Sequence, residues 1–317
     1  MVCNEFTFPS AAGGAALHAV EWLPEGPVRA VLQISHGVAE YILRYAPLAR
    51  HLTDRGFAVA GHDHLGHGQS EAPGGVRLYF GPKGGWDHVA EDLYGRRRLA
   101  GERFPDVPYF LLGHSMGSFL ARTYLIRHPG TVDGAIVMGT GQMVPAVIAA
   151  GKAVAAEEIR RVGEDHVSPA VGVLAFGAYN KRFAPNRTPF DWISASTENV
   201  DRYLADPLCG EDPTIGLFRE MLEGLSFIAS PRELARMDPD TPVLFLSGDK
   251  DPVGGFGRGV RRAYRSFLRA GVRDVSIKLY PGARHEILQE DCQEEVRRDI
   301  SRWLEEHLVI LGSRKKL

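Results

Sequence analysis

A serine between two glycines is the first residue in this sequence that could do chemistry. Gly113-His114-Ser115-Met116-Gly117 has the pattern G-x-S-x-G, between the apolar run at 109–112 and a helical run. A serine in a strained turn between strand and helix holds its hydroxyl above the sheet, and crowding favours residues without a Cβ two positions away on either side. The pattern alone also arises by chance, so its placement is the evidence. That placement predicts Ser115 as a nucleophile.

A nucleophilic serine needs a base and a carboxylate that orients the base. His285 lies in a glycine-containing turn after the apolar run at 275–279, and Asp251 follows the run at 243–246. Asp249 follows the same run and is the alternative carboxylate, although a role in forming the turn suits it better. The sequence therefore predicts Asp251 and His285 as the partners of the serine.

Hydrogen-bond donors are needed where negative charge develops on a carbonyl oxygen under attack. The amide of Met116 is one candidate, because it follows the serine at the start of a helix, where backbone N–H groups have no intrahelical acceptor. The loop HGVAE at 36–40 follows another apolar run, at 30–35, and is the candidate for a second donor. We expect His36 to hold this loop as a buried histidine and Glu40 to hydrogen-bond within it.

The elements that position these residues alternate along the chain. Candidate strands lie at 30–35, 57–61, 109–112, 135–138, 243–246 and 275–279, and most are apolar throughout, which is typical of strands covered on both faces. Helical spacing of apolar residues marks 42–55, 86–104, 115–128, 258–270 and 292–308. This alternation predicts an α/β fold with a mostly parallel sheet flanked by helices. Residues 141–234 interrupt it with proline-separated helical pieces, so we expect a core of residues 1–140 and 235–317 with residues 141–234 inserted as a helical cap.

Composition and charge limit the classes of function. The chain has 317 residues, 44% hydrophobic and 24% charged, which predicts a packed globular core. A formal net charge of −2 gives no overall basic field, so nucleic acid is not an expected partner. The three cysteines lack a C-x-x-C spacing, and no signal-peptide pattern or long apolar run is found. These features predict a cytoplasmic protein without disulfides.

A histidine-rich run raises one alternative chemistry. His62, His64 and His67 are spaced as H-x-H-x-x-H, which resembles the zinc-binding run of metallo-β-lactamase-type hydrolases. That run has an aspartate directly before its third histidine, where this chain has Gly66. Zinc would also need further His or Asp donors from other loops. The sequence therefore favours a site without metal and without a cofactor.

Several motifs together resemble a known family. HGVAE, GHDHLGHGQS, GHSMGS, SGDKDPVG and GARHEIL occur in this order, with YLADPLCG at 203–210. They are similar to motifs of the monoacylglycerol lipase and lysophospholipase group of α/β-hydrolases, also grouped with serine aminopeptidase-type hydrolases, over nearly the whole chain. The resemblance implies an α/β-hydrolase fold, in which Ser, Asp and His follow in this order. It also implies roles for five residues: Ser115 as nucleophile, His285 as base, Asp251 as its orienting acid, and the amides of Val38 and Met116 as the oxyanion hole.

These expectations combine into a serine hydrolase that cleaves carboxylic esters through an acyl-enzyme. The resemblance points to a monoacylglycerol or a lysophospholipid as the small-molecule substrate. Three alternatives stay open: a short-chain carboxylesterase, an aminopeptidase-type hydrolase, and a catalytically silent binding protein on the same fold. An apolar acyl channel in the cap would favour lipids, whereas a carboxylate cluster would favour a peptidase. The apolar side of residues 143–150 also predicts transient contact with a membrane or micelle, with packing on the core as the alternative.

Overall fold

The computed structural model describes residues 1–314, and the strands in this part of the chain form one eight-stranded sheet. The strands are β1 (Val2–Pro9), β2 (Ala16–Leu23), β3 (Ala30–Ser35), β4 (Phe57–His62), β5 (Tyr109–His114), β6 (Gly134–Met138), β7 (Val243–Gly248) and β8 (Val275–Tyr280). Their order across the sheet is β1-β2-β4-β3-β5-β6-β7-β8. The strands from β3 to β8 run parallel, whereas β1 and β2 are antiparallel to their neighbours. The predicted mostly parallel sheet is confirmed.

Two strands were missing from the sequence prediction. β1 is an edge strand with alternating exposure, and β2 carries a buried glutamate, Glu21, in its centre. Glu21 accepts hydrogen bonds from Arg96, at 2.6 Å, and from Arg103. A charged residue interrupts the apolar pattern from which strands are predicted, and its partners lie 75 and 82 residues away along the chain. The local sequence therefore gave no sign that this position could be buried.

Helices cover both faces of the sheet. Outside the connection between β6 and β7 they are α1 (Ala46–Thr53), α2 (Gly85–Arg103), α3 (Met116–Arg127), α9 (Arg258–Arg269) and α10 (Gln293–Arg314). Side chains of α1 and α10 pack on one face, and side chains of α2, α3 and α9 pack on the other. Alternate residues of β5 serve the two layers, since Phe110 faces the first and Leu111 the second. The predicted helix at 42–55 divides into a 3₁₀ turn, Ile42–Tyr45, and α1.

The connection between β6 and β7, residues 139–242, is helical and contains residues 141–234, whose division from the core as an inserted cap stays a prediction. Its helices are α4 (Pro145–Val162), α5 (Pro169–Phe176), α6 (Thr197–Ala205), α7 (Ile215–Ala229) and α8 (Pro231–Leu234), with a 3₁₀ turn at Tyr179–Phe183. Several of these helices begin at residues suited to a helix start. α5 and α8 have a proline in the first turn after a serine, and α7 follows Thr214; in each case the Ser or Thr hydroxyl accepts a free backbone N–H. α7 packs against α2, α3 and α4, so this segment rests on the helices of one face.

Two further observations concern the wider setting of the fold. Among residues 1–314, no helix combines the length and apolarity that crossing a bilayer requires. Cys3, Cys209 and Cys292 are all free thiols. The cytoplasmic location stays a prediction.

Candidate active site

Ser115 lies in the sharp turn between β5 and α3, and α3 begins at the next residue. Its φ of 53° is in the positive range that favours glycine, so the turn stores roughly 1–3 kcal/mol of backbone strain. Packing leaves no space for side chains beside it. A Cβ on Gly113 would collide with the carbonyl oxygen of Gly117, and a Cβ on Gly117 would collide with the carbonyl oxygen of Ser35. Gly113 is therefore required by the close approach of α3 to β5, and Gly117 by the close approach of α3 to β3.

Asp251 and His285 follow β7 and β8, and the structure brings them together. The carboxyl ends of parallel strands lie at one edge of a sheet. Ser115, Asp251 and His285, which follow β5, β7 and β8, therefore lie at the same edge. His285 Nδ1–H donates to Asp251 Oδ2 over 3.1 Å, and both side chains are buried. Ser115 and His285 line the same cavity. With its Nδ1 proton held by Asp251, the imidazole has Nε2 available as an acceptor.

The alternative carboxylate, Asp249, lies elsewhere in the same loop. Asp249 Oδ1 accepts the backbone N–H of Gly282 at 2.8 Å, and its side chain is 37% exposed. Asp251 is fully buried, and its Oδ1 accepts the backbone N–H of Val253 at 2.8 Å. Of the two aspartates, the structure places Asp251 beside the imidazole and Asp249 in the turn.

The loop at 36–40 runs directly beside the serine. A Cβ on Gly37 would lie 3.1 Å from Ser115 Cβ, so the two backbones are nearly in contact. Glu40 Oε1 accepts the N–H of Gly37 at 2.6 Å, which is the hydrogen bond expected within this loop. Val38 lines the cavity, and Met116 is the first residue of α3. Val38 therefore lines the same cavity as Ser115, and Met116 directly follows Ser115; the role of their amides as oxyanion donors stays a prediction.

Glu40 also belongs to a buried polar network that the sequence did not reveal. It accepts hydrogen bonds from His114 Nδ1 at 2.9 Å, from Tyr45 Oη at 3.0 Å and from Arg44 Nη1 at 2.9 Å. Arg44 donates to both carboxylate oxygens of Glu286, at 2.8 and 2.9 Å. His114 directly precedes Ser115, and Glu286 directly follows His285. The network therefore connects the loop at 36–40 to the backbone beside Ser115 and beside His285.

The charges in this network stabilise one another. Burial alone would raise the pKa of Glu40, but the hydrogen bond from His114 and the charge of Arg44 outweigh burial and hold this pKa well below its usual range. Burial likewise opposes the charge of Glu286, and Arg44 keeps the pKa of Glu286 below its ordinary value. Both carboxylates are thus ionised at neutral pH and can accept several hydrogen bonds each. A spacing of four residues between Glu40 and Arg44 was the available signal, whereas Glu286 lies 242 residues further along the chain.

The histidine-rich run, His62, His64 and His67, packs against the loop at 36–40. His36 Nδ1–H donates to the carbonyl oxygen of Gly37 at 2.7 Å, and His36 Nε2 accepts the N–H of His64 at 2.9 Å. Burial lowers the pKa of His62 and of His67 to about 3. No group of three or more His, Cys, Asp or Glu in residues 1–314 is arranged to hold a metal ion. The absence of a metal stays a prediction, whereas His36 holds its loop as expected.

A cavity of about 380 Å³ opens over Ser115 and His285. Its upper wall comes from the segment between β6 and β7 and is mostly apolar, with Val173, Phe176, Phe190, Trp192, Ile193 and Tyr203. The ring of Trp192 lies 5.2 Å from the ring of His285, centroid to centroid. Two exposed acids, Glu211 and Asp212, also line it. The cavity therefore combines an apolar wall with an acidic edge.

The motif YLADPLCG, at residues 203–210, attaches the apolar wall of the cavity to the loop at 36–40. Tyr203 Oη–H and the backbone N–H of Gly210 both donate to the carbonyl oxygen of Ala39, each at 3.1 Å. Tyr41 Oη–H donates to Asp206 at 2.7 Å beside them. The first and last residues of the motif therefore fix the segment to the loop that approaches Ser115.

Comparison with known proteins assigns the family. A model of the serine aminopeptidase S33 family matches residues 26–292. This chain belongs to that family.

Individual relatives are similar over nearly their whole length. The chain is 30% identical over 312 residues to the monoacylglycerol lipase of Mycolicibacterium smegmatis, covering 96% of this chain and 98% of that protein. It is 28% identical over 306 residues to human monoglyceride lipase, covering 95% and 91%. A thermostable carboxyl esterase from Bacillus coagulans has a TM-score of 0.90 at 30% identity, over 97% of this chain and 99% of that one. The α/β-hydrolase fold and the hydrolase class are thereby confirmed.

The two aspartates after β7 are distinguished by one pair of variants. Asp251→Asn in the S33 hydrolase should lower kcat by about 10⁴, because an amide facing Nδ1 favours the wrong imidazole tautomer. Asp249→Asn should cost less than about tenfold, because it alters only a turn. Hydrolysis of p-nitrophenyl butyrate measures both, and unchanged melting temperatures serve as the control. A larger loss for Asp249→Asn than for Asp251→Asn would assign the acid to Asp249.

Proposed function

We propose that this S33 hydrolase cleaves carboxylic esters through an acyl-enzyme on Ser115. The observation that carries the proposal is the Asp251–His285 hydrogen bond beside a strained serine, with one apolar cavity above both side chains. Ser115 Oγ attacks the carbonyl carbon, while His285 Nε2 takes the hydroxyl proton and then gives it to the leaving alcohol. Asp251 holds the imidazole in the required tautomer and stabilises the imidazolium.

The oxyanion of the tetrahedral intermediate is bound by the amides of Val38 and Met116. Both are backbone donors that are held in place before the reaction, so they need no reorganisation when the charge develops. The second half of the reaction reverses the first, with water as the nucleophile. His285 removes a proton from that water, the oxygen bonds to the acyl carbon, and the bond to Ser115 Oγ breaks. Ser115 recovers its proton from His285, and the carboxylic acid leaves.

The proposed substrate is a single-chain acyl ester, a monoacylglycerol or a lysophospholipid. The apolar wall of the cavity supports an acyl chain, because Phe176, Phe190 and Ile193 provide no polar partner in that direction. Among the described residues that line the cavity, none is a lysine or arginine, whereas Glu211 and Asp212 are exposed at its edge. Neutral glycerol or zwitterionic phosphocholine suits this edge better than an anionic head group.

An aminopeptidase activity is less well supported by the same cavity. It would need a carboxylate free to bind the α-amino group of a peptide. Glu211 accepts a hydrogen bond from Arg77 Nε at 2.7 Å, and Glu40 and Glu286 both bind Arg44. Three of the four cavity carboxylates thus already have a cationic partner, which favours the ester. Asp212, exposed at the cavity edge, has no such partner within residues 1–314, and the aminoacyl-anilide substrate tests whether it binds an amine.

A substrate panel tests the proposal. It contains p-nitrophenyl esters from acetate to palmitate, monooleoylglycerol, lysophosphatidylcholine, lysophosphatidylglycerol and an aminoacyl-anilide. We expect monoacylglycerol and lysophosphatidylcholine to exceed the anilide in kcat/KM by about a hundredfold or more, and lysophosphatidylglycerol to be poorer than both. Ser115→Ala should lower kcat by at least about 10⁴ with the fold unchanged. A variant that retains a tenth of the activity would exclude Ser115 as nucleophile, and a preference for the anilide would overturn the substrate class.

A further part of the proposal is that the cap touches lipid through α4. Val144 and Val147 are 43% and 47% exposed, whereas Ile148 is buried at 3%. From the sequence, the apolar side chains of residues 143–150 were treated as one group, either at a lipid surface or packed on the core. In the structure, some of them are exposed and others are buried. Ile148 packs in the core, and the two valines remain available to an interface.

Val147→Glu tests this contact. Burial of a valine side chain is worth about 1.5 kcal/mol, so kcat/KM for monooleoylglycerol in neutral phosphatidylcholine vesicles should fall about tenfold. Hydrolysis of soluble p-nitrophenyl butyrate should stay within about twofold. Val309→Glu on α10, where the valine is 71% exposed, is the matched control and should change neither rate. Equal losses on the two substrates for Val147→Glu, or a lower melting temperature, would instead place Val147 in packing.

A further inference from the structure

Helix α9 presents a row of exposed arginines. Its five members are Arg258, Arg261, Arg262, Arg265 and Arg269. At 3.6 residues per turn they fall within an arc of about 100°, and they extend over about 17 Å of the helix. The opposite side of α9 is buried, with Val260, Ala263 and Phe267 in the core. The row thus forms most of the solvent-facing side of an amphipathic helix.

The row has no counter-charge in the part of the chain that the structure describes. No carboxylate oxygen of residues 1–314 lies within 4.0 Å of these guanidinium groups; the protein acceptors are the carbonyl oxygens of Gly255 and Gln142, bound by Arg258 and Arg262. Many other arginines are paired, as Arg44 is with Glu286. Like charges one turn apart destabilise a helix. The net charge of −2 also shows that the row does not follow from a basic composition. An external anion is the partner that such a row fits.

Apolar side chains adjoin the row. Arg262 Nη1 donates to the carbonyl oxygen of Gln142 at 3.0 Å, and the next residues, Met143 and Val144, are 38% and 43% exposed. Leu268, within α9 itself, is 43% exposed. Cations beside exposed apolar groups match a lipid surface, where phosphates lie directly above acyl chains.

We propose that the α9 arginine row docks the enzyme on an anionic phospholipid surface, with Met143 and Val144 entering the headgroup boundary. The row would bind lipid phosphates, and its contact with Gln142 would hold the start of α4 at the same surface. A duplex nucleic acid fits less well, because a short row on a chain of net negative charge offers few phosphate contacts. The docking does not depend on the chemistry at Ser115, so it can be measured without turnover.

The experiment is vesicle flotation with Ser115→Ala protein, which cannot consume lipid. Vesicles of phosphatidylcholine are compared with vesicles that also contain phosphatidylglycerol, at low salt and at about 0.15 M salt. We expect binding to the anionic vesicles that weakens with salt. Arg261→Gln/Arg265→Gln/Arg269→Gln should lower the partition coefficient at low salt on the order of a hundredfold, about fivefold for each arginine. These three side chains donate to no protein acceptor within residues 1–314, so the fold should be retained.

The matched control removes three exposed arginines from the opposite face of the sheet, Arg50, Arg298 and Arg302 on α1 and α10. Arg50→Gln/Arg298→Gln/Arg302→Gln changes net charge equally and should keep vesicle binding within about threefold. Equal losses in the two triple variants, equal binding to neutral vesicles, or no binding to anionic vesicles would overturn the proposal. So would binding of polyglutamate or duplex DNA through the row in the absence of vesicle binding.

The same α9 substitutions in the enzyme with Ser115 intact should leave hydrolysis of soluble p-nitrophenyl butyrate unchanged. Because flotation reports binding and the butyrate assay reports chemistry, the two can fail separately. Loss of ester hydrolysis in every form of the chain would remove the proposed function and leave the docking result standing. Loss of flotation alone would remove the docking.

Discussion

The start of α3 packs so closely against the ends of β3 and β5 that neither Gly117 nor Gly113 can carry a side chain. This contact holds the positive φ of Ser115, and the strain is supported by the buried strands on either side. The same contact brings the loop after β3 beside the serine. Other features of the site are arranged around this turn, because β7 and β8 end at the same edge of the sheet.

A second constraint is the buried network of Glu40, Arg44 and Glu286. Buried ion pairs are weak contributors to stability, because removing the charges from water costs about as much as the pairing returns. Their value here is positional. Glu40 fixes the amide of Gly37, so the loop keeps one conformation, while Arg44 connects that loop to the residue after His285. The segment between β6 and β7 joins the same loop through Ala39, so the apolar cavity wall and the loop at 36–40 are positioned together.

The features that were predictable from the sequence depend on local patterns. The six parallel strands, β3 to β8, are rich in apolar residues, so all six were visible, although β8 lies at the edge of the sheet and contains Ser276 and Lys278. Ser115, Asp251 and His285 lie after the ends of three of these strands. Pairings between distant residues were not visible. β2 was missed because the charge of Glu21 is paired with Arg96 far along the chain. The separation of Val147 from Ile148 was missed because it depends on α7, which packs on α4.

The most direct measurement on the central claim is mass spectrometry after reaction with a fluorophosphonate. Such reagents phosphonylate a serine only when a neighbouring base and an oxyanion hole activate it. We predict one adduct per chain, on the peptide that contains Ser115, and none in Ser115→Ala. An adduct on a different residue, or no adduct on a folded chain, would contradict the assignment of Ser115 as an activated nucleophile.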